Sequence, residues 1–173
     1  GKIFEKLADE ARESWNRELR HFTVEGTADQ KAMFYTSLYH TMINPSVYMD
    51  VDGQYRGLDH NIHRADRFTN YTIFSLWDTY RALHPFLNLV KPDRNADMVK
   101  SMIAHARQSV HGMLPVWSLM GNENWCMSGY HGVSAVSDAL VKDVLKGETD
   151  EALKAMVSTS TVPYYEGVAD YIK

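Results

Sequence analysis

The sequence LPVWSLMGNENWCMSGYHG, Leu114–Gly132, lies between two helical patterns but has neither helical nor strand periodicity of its own. It places one carboxylate, Glu123, between two asparagines and two tryptophans, with three glycines nearby. Binding and catalytic residues are often found on loops that regular elements position in this way. An acidic side chain among tryptophans is expected to have a raised pKa, as in carboxyl groups that act as general acids. The alternative is that Glu123 caps the following helix and that the tryptophans belong to the core.

Helical patterns account for most of the chain on both sides of this stretch. Apolar residues recur at spacings of three and four from Phe4 to Phe22, from Met98 to Val110 and from Val133 to Val144, which predicts helices with one buried face. Thr27 and Gln30 form a capping-box pattern that opens a further helix. That helix is apolar on more than one side, which indicates burial between layers.

The segment Tyr71–Leu87 is predicted to be one helix and is apolar on nearly all sides. Trp77, Asp78 and Arg81 are three or four residues apart and therefore lie along one stripe of such a helix. Because a dry core penalises each buried ion strongly, charged residues on a buried helix indicate a cavity or a binding site. The alternative is a surface ion pair between Asp78 and Arg81, with Trp77 in the core.

Two segments between the helices have a different pattern. Val47–Arg56 has apolar and aromatic residues on either side of an Asp-Gly pair, which is preferred in two-residue turns and predicts a short β-hairpin. Gly57–Asn70 is polar and contains His60 and His63, but no third metal ligand follows at helical spacing. A solvent-exposed loop is therefore predicted there rather than a metal site.

The overall pattern predicts an all-α protein of about six or seven helical segments, the last of which begins after Pro163. Amphipathic helices alternate, imperfectly, with helices that are apolar on most sides, which indicates two layers. Long polar and aromatic loops connect them. A helical barrel of paired helices fits this arrangement better than a four-helix bundle, whose loops would be short.

Composition narrows the classes of function. The chain has 173 residues, of which 45% are hydrophobic, and a formal net charge of −4. A mildly acidic chain without a basic run argues against nucleic acid or an anionic membrane as the partner, and no apolar run approaches the roughly 18 residues of a membrane span. The single cysteine excludes an internal disulfide. The many aromatic residues favour a sugar ligand. The sequence has no signal peptide but begins with Gly1 rather than Met, so a longer protein is expected.

Three stretches resemble one known family in their order and spacing. They are FYTSLYHTMINP (Phe34–Pro45), YTIFSLWDTYRALHP (Tyr71–Pro85) and LPVWSLMGNENWCMSGYHG (Leu114–Gly132). Together they resemble glycoside hydrolase family 92, which comprises bacterial exo-acting α-mannosidases common in gut Bacteroidetes. The resemblance extends from about Thr27 to His131, and the second stretch is its most specific part.

The resemblance implies a fold and an activity. Members of the family have an N-terminal β-sandwich followed by a catalytic (α/α)6 barrel, require calcium, and cleave terminal α-linked mannose with inversion, here expected at α-1,2 linkages in mannose-containing glycans. Residues 1–173 are then expected to be a single segment: the N-terminal part of the (α/α)6 barrel with about half of its helices and a short β-hairpin insertion. The β-sandwich and the C-terminal half of the barrel would be absent. A periplasmic, cell-surface or secreted location is implied as well.

The same resemblance assigns roles to residues. Glu123 matches the family's general acid, and five residues are expected to bind the sugar: Trp77, Asp78, Arg81, Asn122 and His131. Asn124 stands where the family usually has Thr, which leaves the linkage preference open. The general base and the calcium ligands are expected outside this chain. The isolated chain is therefore expected to be inactive and to self-associate through uncovered apolar faces.

Three other interpretations remain open from the sequence. A non-catalytic helical module could bind carbohydrate or protein through the same aromatic loop. A helical metalloenzyme could use the histidines, although no two of them form a helical pair with a carboxylate in reach. A different (α/α)6 enzyme is also compatible with the fold, because fold does not determine function.

Overall fold

The computed structural model of the chain describes residues 1–162. Two compact units are present, Gly1–Asn44 and a larger unit that begins at Pro45. The helix predicted after Pro163 lies outside the described residues. Seven helices are present within residues 1–162, which confirms the predicted helical character, whereas closure into an (α/α)6 barrel is not established by these elements.

The first unit consists of helices α1 (Lys2–Leu19) and α2 (Ala28–His40). The predicted capping box is confirmed: the Thr27 hydroxyl accepts from the Gln30 backbone N–H, and the Gln30 side chain accepts from the Thr27 N–H. Within the described part of the chain, helix α1 has no buried residue and α2 buries only Leu38. The expectation that the second helix is buried between layers is therefore wrong for the described residues.

Up to residue 162, the second unit contains five helices: α3 (Leu76–Thr79), α4 (Leu83–Val90), α5 (Pro92–Gln108), α6 (His131–Val141) and α7 (Thr149–Thr161). Helix α5 is central, because α4, α6 and α7 all pack against it. Its residues Val99, Met102 and Ile103 are almost completely buried. No helix within residues 1–162 has the length and apolar character needed to cross a membrane.

The described part of the second unit also contains seven short strands, all paired antiparallel. Strand β1 (Ser46–Val47) pairs with β4 (Tyr71–Thr72), and β2 (Gln54–Arg56) pairs with β3 (Ile62–Arg64). A three-stranded sheet has the order β5-β6-β7, formed by Phe74–Ser75, Trp117–Leu119 and Asn122–Glu123.

The predicted β-hairpin exists, but its partner strand was predicted wrongly. The segment around Gly53 does form a tight turn, in which the Gly53 N–H donates to the Asp50 carbonyl at 2.9 Å. However, Gln54–Arg56 pairs forward with Ile62–Arg64, so part of the polar segment predicted to be a loop is a strand.

The predicted single helix Tyr71–Leu87 is wrong in its first third. Ile73 has a positive φ of 65°, a left-handed conformation that a right-handed helix cannot contain. The residues on either side of it form β4 and β5, and helix begins only at Leu76. Arg81 lies between α3 and α4, so Trp77, Asp78 and Arg81 do not share a stripe of one continuous helix.

Candidate functional site

The loop Leu114–Gly132 contains a β-hairpin. This hairpin was not predicted, because the sequence of the loop has no strand periodicity. Strands β6 and β7 are joined by Met120 and Gly121, which both have positive φ, of 49° and 71°. Positive φ at both central residues is the requirement of a type I′ hairpin turn. A Cβ at Gly121 would also lie 2.8 Å from the Arg56 carbonyl oxygen, so this position requires glycine for space as well as for conformation.

Glu123 has a side chain that is only 3% exposed. Its Oε2 accepts from the Val116 N–H at 2.9 Å, and its Oε1 accepts from the N–H groups of Trp117 and Trp125 at 2.8 and 3.1 Å. Trp125 has a φ of 58°. The carboxylate thus binds backbone on both sides of the hairpin.

His105, on α5, is a partner of Glu123 that the sequence did not indicate. Its Nε2 lies 3.5 Å from Glu123 Oε2, and its side chain is 12% exposed. Burial raises the pKa of Glu123, but the His105 hydrogen bond and charge, together with the Trp117 and Val116 amides, outweigh burial and hold that pKa below its usual value. The expectation of a raised pKa is therefore wrong, because composition does not reveal where the backbone donors point.

The alternative role of Glu123 as a helix cap is also wrong. The N-cap of α6 is Tyr130, and no side chain caps it by a hydrogen bond. The two tryptophans on either side of Glu123, Trp117 and Trp125, are half-buried rather than part of the hydrophobic core.

The three residues selected from the second motif all have exposed side chains. Trp77 is 41% exposed, and Asp78 and Arg81 are exposed as well. The Ser75 hydroxyl donates a hydrogen bond to Asp78 Oδ2, which orients the carboxylate.

An aromatic stack joins the second motif to the end of the third. The Arg81 guanidinium lies over the Tyr80 ring, 5.3 Å from its centroid, and the Tyr80 ring is stacked on His131 with centroids 4.2 Å apart and planes at 10°. Such cation–π and stacking contacts restrict the orientation of Arg81. The structure therefore brings Arg81 and His131 together through Tyr80, a residue that the sequence analysis did not select.

Asn122 is exposed and precedes Glu123 on β7. Because successive side chains of a strand point to opposite faces, Asn122 points away from the buried Glu123. Its side-chain amide donates to the carbonyls of Leu119 and Met120 at 3.4 and 3.2 Å. In this arrangement Asn122 closes the hairpin turn.

The two histidines of the polar segment have separate partners. His60 contacts the Arg56 guanidinium at 2.7 Å, whereas the hydrogen bond from His63 lowers the pKa of Asp59 to about 2. Within residues 1–162, no three His, Cys, Asp or Glu side chains lie together in a group that could hold a metal ion. The calcium implied by the resemblance has no such ligand set among the described residues.

Comparison with known proteins assigns the family. The model of the glycosyl hydrolase family 92 catalytic domain matches residues 1–173. A family GH92 α-mannosidase of Bacteroides thetaiotaomicron is 48% identical, with a TM-score of 0.93, over 97% of this chain and 23% of its own length. That enzyme has also been solved in complex with mannoimidazole. No significant match was found among curated proteins.

A second solved relative is the family GH92 inverting mannosidase of Bacteroides thetaiotaomicron VPI-5482. It is 32% identical, with a TM-score of 0.78, over 88% of this chain and 21% of its own length. The chain therefore belongs to glycosyl hydrolase family 92, as its three motifs predicted. It spans less than a quarter of the length of these solved relatives.

Proposed function

We propose that the protein containing this chain is an inverting exo-α-mannosidase that removes terminal mannose from glycans, with α-1,2-linked mannose as its preferred substrate. The observation that carries this proposal is the 48% identity, over 97% of the chain, to a GH92 α-mannosidase. Further support comes from the mannoimidazole complex of that relative and from the inverting mannosidase that is 32% identical.

The exposed side chains of the second motif suit a sugar ligand. Trp77 offers an apolar ring against which the apolar face of a pyranose can pack. The Asp78 carboxylate can accept hydrogen bonds from sugar hydroxyl groups, and the Arg81 guanidinium can donate hydrogen bonds to their oxygens. Ser75 orients Asp78 and the Tyr80 stack orients Arg81. Orientation before binding reduces the entropy lost on binding.

Inversion requires two carboxyl groups about 6.5–9.5 Å apart, one to protonate the leaving oxygen and one to activate water. The sequence predicts that Glu123 is the acid and that the base lies outside this chain. As described, both Glu123 oxygens accept backbone N–H groups, so an acid role would require the carboxylate to leave these partners. That role stays a prediction.

A calcium requirement is part of the proposal for the whole protein. Within residues 1–162, no group of three or more carboxylates, histidines or cysteines could hold a metal ion. The calcium ligands are therefore expected in other parts of the protein. Loss of activity on chelation, with recovery on adding calcium, is the expected result.

A second candidate function is a non-catalytic module that binds mannose-containing glycans. The burial of Glu123 favours it, since a buried and ionised carboxylate is poorly placed to donate a proton to a substrate. Such a protein would bind mannosides without releasing mannose.

The experiment that tests the proposal follows hydrolysis of α-1,2-mannobiose by the full-length protein with proton NMR. An inverting enzyme first produces the β-anomer of mannose, which then mutarotates. Initial release of the α-anomer would contradict inversion, and binding without release would favour the non-catalytic module. Parallel assays of the α-1,3- and α-1,6-linked disaccharides test the linkage preference.

A periplasmic or cell-surface location, also proposed, is tested by fractionation of the producing cells.

A further inference from the structure

We propose that Glu123 and His105 form a buried anchor that positions the sugar-facing residues of the second motif, so that Glu123 acts through the backbone and not as a proton donor to the substrate. The inference depends on the proposed function for the identity of the substrate. The anchor itself is defined by contacts within the second unit.

The Glu123 carboxylate connects three segments that are separate in the sequence. Val116 and Trp117 precede the hairpin turn, Trp125 follows β7, and His105 belongs to α5. One buried side chain therefore binds both sides of the loop and connects them to the central helix. Carboxylates have about four lone-pair sites, and these contacts use them with three N–H donors and one imidazole. Removing the acceptor would leave buried donors without partners, which is costly.

The second step is the connection from the anchor to the second motif. Trp117, whose N–H the carboxylate binds, is paired with Ser75 in the β5–β6 register. The hydroxyl of Ser75 in turn holds Asp78. The Met120 N–H also donates to the Thr72 hydroxyl at 2.8 Å, which ties the hairpin turn to β4. A displacement of the hairpin would therefore move the segment that leads into Trp77 and Asp78.

The third step is the geometry of proton donation. A general acid must lie within hydrogen-bond reach, about 2.6–3.2 Å, of the atom that it protonates. Both oxygens of Glu123 are occupied by backbone donors, and the side chain is 3% exposed. By contrast, the carboxylate of Asp78, on α3, is exposed.

The test uses the full-length protein with the variants Glu123→Gln, Glu123→Asp and His105→Gln. Glu151→Gln, an exposed residue on α7, is the matched control. In hydrogen–deuterium exchange, the peptide covering residues 114–126 should exchange faster in Glu123→Gln than in wild type, because the Gln side-chain NH2 group cannot accept from the amides. The control should not change this peptide. Unchanged exchange in Glu123→Gln would overturn the anchor.

The second readout separates positioning from acid catalysis. If Glu123 positions the site, kcat/KM should fall by about the same factor, on the order of 100-fold, for aryl α-mannosides with good and with poor leaving groups. The alkaline limb of the pH profile should stay unchanged. Glu123→Asp should recover part of the loss because it retains two acceptor oxygens, whereas Gln retains one. His105→Gln should show a smaller loss of the same kind. A loss confined to poor leaving groups, with a shifted alkaline limb, would overturn the proposal.

All assays are made at temperatures at which each variant has a native circular dichroism spectrum. Full activity of Glu123→Gln under those conditions would mean that Glu123 only stabilises the fold, and would contradict positioning. If wild type releases no mannose from any substrate, the proposed function fails while the exchange measurement still decides the anchor. If wild type is active but exchange is unchanged, the anchor fails and the function stands.

Discussion

Ile73 has a left-handed backbone conformation at the point where the chain passes from one small sheet to another. Thr72 pairs with Ser46, whereas Phe74 pairs with Ser118. A φ of 65° is rare for a β-branched residue, and the left-handed region costs L-residues roughly 1–2 kcal/mol. Strained residues of this kind are found near functional sites, and Ile73 lies four residues before Trp77.

This strain predicts an unusual order of stability. Ile73→Ala and Ile73→Gly both remove the side chain beyond Cβ, but only glycine also lacks Cβ and therefore adopts positive φ without strain. The full-length protein with glycine should therefore be more stable than that with alanine by about 1 kcal/mol. At Ser134, an exposed position inside α6, the order should be reversed by a similar amount. Denaturant unfolding of the four variants checks the prediction. Alanine more stable than glycine at Ile73 would contradict it.

Single residues also show what the sequence could and could not reveal about the site. The motifs that contain Trp77, Arg81 and His131 could be recognised, and the family followed from them. The partners of Glu123 could not be predicted, because they are backbone amides and a histidine 18 positions away. Such contacts depend on tertiary structure, which local composition does not encode.

At the scale of elements, a buried polar chain connects α4, α5 and α6. His84 is bonded through Nδ1 to Asn95 Oδ1 at 2.8 Å, the Asn95 amide donates to Asn88, and Asn88 donates to Asp138 at 2.7 Å. Since the Asn95 oxygen is an acceptor, His84 carries its proton on Nδ1. Its Nε2 is buried and has no hydrogen-bond partner among residues 1–162. Burial lowers the pKa of His84, although Asn95 and Asp138 oppose that effect.

The buried histidine predicts a pH dependence of stability. The unfolded chain binds a proton at His84 near pH 6.5, whereas the folded protein binds that proton only at a lower pH, because burial lowers the pKa. The free energy of unfolding should therefore fall as the pH decreases below about 6.5, by at most about 1.4 kcal/mol per pH unit from this group.

Urea unfolding of the full-length protein at pH 7.5 and 5.5 measures this effect. His84→Gln should have a smaller pH dependence than wild type. His111→Gln, at an exposed position, should retain the wild-type dependence. If the free energy of unfolding of His84→Gln depends on pH as strongly as that of wild type, His84 is not the source of the pH dependence.

Helix α5 and the segment Tyr71–Leu87 show why some elements were predictable and others were not. Helix α5 has a strong helical period and forms the centre of the core. In the other segment, apolar residues on nearly all sides are compatible with either a buried helix or short strands. Phe74 and Ser75 form a strand because they pair with β6. That pairing involves residues more than 40 positions away, so the local sequence does not reveal it.

At the scale of the whole molecule, several large apolar side chains of the first unit are exposed. In α1, Ile3, Phe4 and Leu7 are 79%, 74% and 58% exposed. Contiguous apolar surface of this kind promotes association.

We therefore expect the isolated 173-residue chain to self-associate. Its mass in size-exclusion chromatography with light scattering should rise with concentration. A Phe4→Ser/Leu7→Ser double variant should reduce that rise, whereas Val51→Ser/Val110→Ser, at two separate exposed positions in the second unit, should have less effect. A monomer at every concentration would contradict the expectation.

The central claim is that the second motif forms a mannose-binding surface, and titration calorimetry of the full-length protein with mannoimidazole tests it most directly. Wild type and the control Val141→Ala, exposed on α6, should bind with equal affinity. Trp77→Ala should bind at least about tenfold more weakly, a loss of about 1.4 kcal/mol, because the exposed ring no longer covers the sugar. Equal affinity of wild type and Trp77→Ala would contradict the account.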